Sequence, residues 1–287
     1  MAGAAIVGAS PVSPDLAGML DFTTSNVLLA LAVTTAAGLA TGLGGLLVFT
    51  TKAPNARMLA FGLAFAGGAM VYVSLSEILN KSIASFTLEF GASRGFSYGT
   101  FAFLAGVLLI GVIDRMIPNP HERLETDDPF FREHNRQYIK RVGLLTAAAI
   151  TVHNFPEGLA TFFATLADPA VGLPLAFAIA IHNIPEGIAI AVPVYYATGN
   201  KGYAFVACLL SGLAEPMGAV IGYVLLGPFL SNALFGVVFG IIAGVMVFLA
   251  LDELLPAAKR YAKGHETVYG LVTGMGALAI SLVLFNW

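Results

Sequence analysis

Two hexapeptides in this chain carry residue types that bind cations: His153-Asn154-Phe155-Pro156-Glu157-Gly158 and His182-Asn183-Ile184-Pro185-Glu186-Gly187. They are one pattern, His-Asn-apolar-Pro-Glu-Gly, written twice. Within each copy the imidazole and the carboxylate stand at i and i+4, so they share one face of an α-helix. Each copy lies inside a long apolar run, where an unpaired imidazole or carboxylate is costly. A metal ion held between the copies would supply the missing partner. Imidazole with carboxylate suits Zn²⁺, Fe²⁺, Mn²⁺, Co²⁺ and, as a mimic, Cd²⁺. Mg²⁺ prefers oxygen ligands and retained waters. Glu157 and Glu186 are the candidates for bridging two ions.

The prolines add a second feature. Pro156 and Pro185 have no N–H to give the carbonyls of Val152 and Ile181, which predicts a kink in each helix. Interrupted helices at mid-membrane are where ion sites are built. Glu215, followed by Pro216, is a further carboxylate in an apolar run, and such a residue is a functional candidate by default. Met70, after Gly67-Gly68, is a methionine in an apolar helix, where packing is the commoner role. Glu77, Asp114, Asp252 and Glu253 stand nearer the ends of apolar runs, as cation-route residues or ordinary interfacial charges. His121, His134 and His265 fall in loops. Cys208 is the only cysteine, which excludes an intrachain disulfide and a cysteine-type zinc site.

These residues must be positioned by the bilayer. Of the 287 residues, 57% are hydrophobic and only 11% charged, against about 25% in soluble domains. Mean hydropathy is +0.84. A spanning helix needs about 20 mostly apolar residues. The runs 26–49, 56–80, 97–117, 142–166, 172–198, 203–226, 232–257 and 266–286 qualify. The expectation is therefore an all-α polytopic membrane protein of eight transmembrane helices in one domain, 26–287. Residues 1–25 form a short tail without the basic start of a secretory signal, and 118–141 form the one long polar loop.

Basic residues set the orientation. With the amino terminus outside, all but Lys81 and Arg94 of the 14 Lys and Arg residues fall on the inner side. This predicts both termini outside and a cytoplasmic 118–141 loop. His153 and His182 both fall near the bilayer midplane. The short turn at 167–171 would make the fourth and fifth helices antiparallel neighbours, with the two motif faces together at the centre. No nucleic-acid partner is expected.

The doubled motif resembles that of the ZIP (Zrt/Irt-like) metal transporters, most closely the bacterial ZupT-type branch. Ser211-Gly212-Leu213-Ala214-Glu215, Val192-Pro193-Val194-Tyr195-Tyr196-Ala197-Thr198-Gly199 and Asp252-Glu253-Leu254-Leu255-Pro256 support the likeness. The resemblance implies eight helices with both termini outside and metal moved into the cytoplasm across the cell membrane. It implies a binuclear site. The first position would use Met70, His153, Glu157, His182 and Glu186, and the second Asn154, Glu157, Asn183, Glu186 and Glu215. It further implies a homodimer, and an elevator-like motion of helices one, four, five and six against two, three, seven and eight.

In some relatives the fifth-helix motif begins Gln-Asp; here it begins His182-Asn183. That makes the first position softer and takes one negative charge from the second. The family's histidine-rich cytoplasmic loop is reduced here to His121 and His134. The metal is expected as cargo, not as a cofactor. A metal-selective channel would use the same ligands, as would an intramembrane metalloenzyme. The enzyme reading lacks a His-Glu-x-x-His helix and a Glu-x-x-His pair.

Overall fold

The computed structural model describes residues 24–50, 56–116, 151 and 154–285, almost all of them helical and none in a strand. His153, the 118–141 loop and residues 1–23 lie outside the described residues. Helix α1 is Thr24–Thr50. Helix α2 runs Ala56–Val73, passes through a π turn at Ser74–Ile78 and continues as Leu79–Phe90. Then come α3, Ala92–Met116, and α4, residues 154–167. Helix α5 is Pro169–Thr198. Helix α6 is Lys201–Gly212, interrupted at Leu213, then Ala214–Leu226. Helix α7 is Asn232–Leu249, with a π turn at Ala250–Leu254, continuing as Leu255–Tyr261, and α8 is Glu266–Phe285. Among the described residues, 7 helices are long and apolar enough to cross a membrane: α1, α2, α3, α5, α6, α7 and α8.

The chain reverses direction where its local chemistry dictates. Extended Asp168 caps α5 by accepting from the Ala170 N–H at 2.9 Å, with Pro169 at the first helical position. Gly199, at φ 68°, closes α5, and the next residue, Asn200, accepts from the N–H groups of Gly202 and Tyr203 to start α6. The predicted turn at 167–171 is therefore present. The Thr165 backbone approaches Gly172 so closely that a Cβ there would collide with it.

One expectation about helix length changes. The second apolar run was expected to end at residue 80, but α2 extends to Phe90 before turning at Gly91, φ 83°. Its polar residues are satisfied locally: Lys81 pairs with Glu77 at 3.3 Å, and Ser82 donates to the Gly236 carbonyl of α7. Helix α6 is interrupted at Leu213, one turn from Pro216, and α5 is α-helical on both sides of Pro185.

Helices divide into two packed groups. In one, α1 lies against α5 and α6, and α6 against α5. Helix α4 joins it through Gly158 on the Glu215 backbone, Gly218 on the Phe155 backbone, and Phe162 edge-on to Tyr223 at 5.5 Å. In the other group α2 packs on α8 and α3, and α7 on α3 and α2. Every described glycine whose added Cβ would meet another helix's backbone closer than 3.0 Å makes that contact within its own group. Between the groups, Gly62 faces Pro185 at an ordinary 3.8 Å.

The two halves of the chain repeat each other. Gly68-Ala69-Met70-Val71-Tyr72 through Leu75 and Glu77 matches Gly244-Val245-Met246-Val247-Phe248 through Leu251 and Glu253. The π turns Ser74–Ile78 and Ala250–Leu254 fall at matching positions. Contacts repeat as well. Gly68 meets the Leu271 carbonyl as Gly244 meets that of Phe103, and Gly274 meets Phe65 as Gly106 meets Ile241. Gly38 and Gly212 each face the other's carbonyl oxygen. A pseudo-two-fold axis thus exchanges α1 with α6, α2 with α7, α3 with α8 and α4 with α5.

Such close backbone approach requires glycine. Gly38→Leu is expected to destabilise the protein by about 3 kcal/mol through overpacking. Gly276→Ala, with nothing within 4 Å of the added carbon, should stay within about 0.5 kcal/mol. Thermal melting of the purified protein in detergent would separate the two, and equal melting temperatures would contradict the packing described.

Candidate metal centre

The pseudo-two-fold brings residues 154–158 and 182–187 together in the first helix group. Glu157 on α4 and His182 and Glu186 on α5 are completely buried, and their ligand atoms lie within 4.8 Å of one another. His182 Nε2 is 3.2 Å from Glu157 Oε1, but the pair is not aligned as a hydrogen bond. Among the described residues, both oxygens of Glu157, both of Glu186 and both ring nitrogens of His182 are without a hydrogen-bond partner. Buried polar atoms are ordinarily satisfied. Six such donor and acceptor atoms in one small volume have the residue types and spacing of metal ligands. The sequence expectation that these helix faces meet holds for these three residues.

The asparagines form a second layer. Asn154 Nδ2 donates to the Ser211 carbonyl at 3.1 Å, and Asn183 Nδ2 donates to the Ala37 carbonyl at 2.8 Å. Ser211 on α6 and Ala37 on α1 are two-fold counterparts, so the tethers are one contact made twice. Each amide is held by its nitrogen, which leaves Asn154 Oδ1 and Asn183 Oδ1 buried and, among the described residues, unpartnered. Asn183 Nδ2 also donates to Oε1 of buried Glu215, whose Oε2 has no partner among the described residues. The α6 interruption at Leu213 lies immediately before this carboxylate.

Met70 is fully buried on α2, which packs on α5 as α8 also does. His265 is exposed and lies against Tyr269. His121 and His134 lie outside the described residues. Asp114 on α3 and Asp252 and Glu253 in the α7 π turn come together, with ligand atoms within 4.8 Å, but all three are partly exposed. Reading the residues singly kept those three apart. Cys208 is buried, with Sγ 3.1 Å from the Gly187 carbonyl.

Long apolar helices around a buried imidazole–carboxylate cluster define a multi-pass membrane protein with metal-ligating residue types gathered in its interior. The ZIP Zinc transporter family matches residues 132–282. The chain is 74% identical to the zinc transporter ZupT of Stenotrophomonas maltophilia (strain K279a) over 94% of its own length and 100% of that protein. Identity to the zinc transporter ZupT of Neisseria meningitidis serogroup B (strain MC58) is 64% over the same shares. To that of Oceanobacillus iheyensis it is 49%, over 90% of this chain and 98% of the relative. This chain belongs to the ZIP zinc transporter family.

Asn183 links α1, α5 and Glu215, so its loss should be felt in stability. Asn183→Leu strands the Glu215 carboxylate and the Ala37 carbonyl and should cost about 2–3 kcal/mol. Ser211→Ala keeps the carbonyl that Asn154 uses and should cost under about 1 kcal/mol. Melting curves of the two variants, recorded without added metal, would check the order.

Proposed function

We propose that this protein carries divalent transition-metal ions, zinc foremost, across the bacterial inner membrane into the cytoplasm. The observation that carries this reading is the buried cluster of Glu157, His182 and Glu186, whose unpartnered atoms converge at the centre of a membrane-embedded helix group. A divalent ion brings the positive charge that the two carboxylates lack. His153, the motif counterpart of His182, completes the first position with Met70. Asn154, Asn183 and Glu215, with the bridging carboxylates of Glu157 and Glu186, form the second. Fe²⁺, Mn²⁺, Co²⁺ and Cd²⁺ fit the same donors.

In this reading the chain spans the bilayer eight times, α4 being completed by the residues before 154. Both termini are extracytoplasmic and the 118–141 loop is cytoplasmic. Helices α4 and α5 bend at Pro156 and Pro185. Transport proceeds by alternating access: hydrated metal exchanges water for protein ligands, then the site opens inward. The packing supports a two-body motion. Backbones within each helix group are locked by glycine contacts, whereas the Gly62–Pro185 contact between groups is an ordinary 3.8 Å. One group therefore slides on the other without separating backbones. The protein works as a homodimer.

The test is uptake into proteoliposomes. Saturable Zn²⁺ flux is expected, with Glu157→Ala and Glu186→Ala each reducing it at least about 100-fold and Mg²⁺ not transported. Non-saturating flux would favour a channel. No flux, with zinc binding retained, would overturn the transport reading.

A further inference from the structure

The pseudo-two-fold points to a site residue outside the hexapeptides. Gly38-Leu39-Ala40-Thr41 on α1 and Gly212-Leu213-Ala214-Glu215 on α6 are the same tetrapeptide except at the last position, and Gly44 and Gly218 follow each at equal spacing. The contacts match. A Cβ on Gly212 would stand 3.3 Å from Thr41 Cβ, and one on Gly38 would stand 3.3 Å from Glu215 Cβ. Gly187 abuts the Thr41 carbonyl as Gly158 abuts that of Glu215. Thr41 therefore occupies on α1 the place that Glu215 occupies on α6. Glu215 accepts from Asn183, and the counterpart of Asn183 is Asn154.

Thr41 is completely buried, and its Oγ1 has no hydrogen-bond partner among the described residues. Its neighbours on the same helix behave otherwise. Thr34 donates to the Ala30 carbonyl at 2.8 Å and Thr35 to the Leu31 carbonyl at 2.7 Å, the usual bond for a helical threonine. Thr41 gives up that bond in a position set by the symmetry of the ion cluster. On the same side, Asn154 Oδ1 is also buried and unpartnered.

We propose that Thr41 Oγ1 is a further oxygen ligand of the transported ion, the uncharged counterpart of Glu215. This assignment rests on the metal-transport reading above. A neutral hydroxyl here makes the two halves of the site unequal: the Asn183 side carries the extra carboxylate and the Asn154 side does not. Hydroxyl and amide oxygens favour harder ions such as Mn²⁺ over zinc, which is bound well by imidazole. Thr41 is thereby a specificity-determining residue.

The test compares Zn²⁺ and Mn²⁺ uptake in proteoliposomes. Thr41→Val, close in shape but without the hydroxyl, is expected to raise the Mn²⁺ KM about tenfold and the Zn²⁺ KM about threefold, since zinc depends less on this oxygen. Thr41→Ser should stay within about twofold of wild type. The exchange variant Thr41→Glu with Glu215→Thr should transport zinc at least about tenfold faster than Glu215→Thr alone, because the carboxylate returns to an equivalent place. A purely structural threonine would shift neither the Mn²⁺/Zn²⁺ ratio nor the exchange variant. If Thr41→Val fails to fold, the exchange variant decides. Wild-type flux abolished by Glu157→Ala, with an unchanged metal ratio in Thr41→Val or no gain from the exchange, overturns the Thr41 assignment alone. Absence of flux in wild-type liposomes overturns the transport reading and this assignment with it.

Discussion

Three glutamates, 157, 186 and 215, are buried in the same helix group with no solvent exposure, and that constraint governs the rest of the structure. Buried carboxylates persist only when something positive or hydrogen-bonding meets them. The protein supplies one imidazole, His182, and one amide donor, Asn183, among the described residues. That is less than three carboxylates require. The remaining compensation is assigned to the transported ion. The helix packing follows from this: backbones must come close enough for short side chains to converge, and glycines at Gly38, Gly44, Gly158, Gly187, Gly212 and Gly218 make that approach possible.

The internal repeat explains how so few residue types build the site. One set of contacts, asparagine nitrogen to a helix carbonyl and glycine to a facing backbone, is used twice. Each asparagine is thereby held by its nitrogen, and its oxygen is buried without a hydrogen-bond partner among the described residues. Symmetry also separates what is shared from what is not. Glu157 and Glu186 correspond, as do Asn154 and Asn183, but Glu215 and Thr41 differ in charge. A site with identical halves would give an ion no preferred side. Here one side has the Glu215 carboxylate where the other has the Thr41 hydroxyl.

Much of this was legible in the chain. The doubled hexapeptide fixed the cluster, because i and i+4 on two helices joined by a short turn leave little geometric choice. Apolar runs located the helices to within a few residues for α1, α5 and α8. The second run was cut short at residue 80, because Asn80 and Lys81 read as a helix end; in the fold Asn80 bonds to the Ser76 carbonyl and Lys81 to Glu77, so both stay within the helix. The interruption at Leu213 was not foreseen, because proline marked helices α4 and α5 as strongly as α6. Thr41 was missed for a different reason. Only glycine, leucine and alanine are shared between its tetrapeptide and that of Glu215, and such residues recur throughout an apolar chain. Their alignment gains meaning only when the facing carbonyls are known. The gathering of Asp114 with Asp252 and Glu253 depends on α3 packing against α7, which no local pattern encodes.

The central claim is that the ion sits among Glu157, His182 and Glu186. Anomalous diffraction at the zinc edge, from crystals of the purified protein grown with Zn²⁺, tests it most directly. A peak about 2.0–2.2 Å from carboxylate oxygen and imidazole nitrogen of these residues is the predicted result. Density only at Asp114, Asp252 and Glu253, with none at the central cluster, would contradict it.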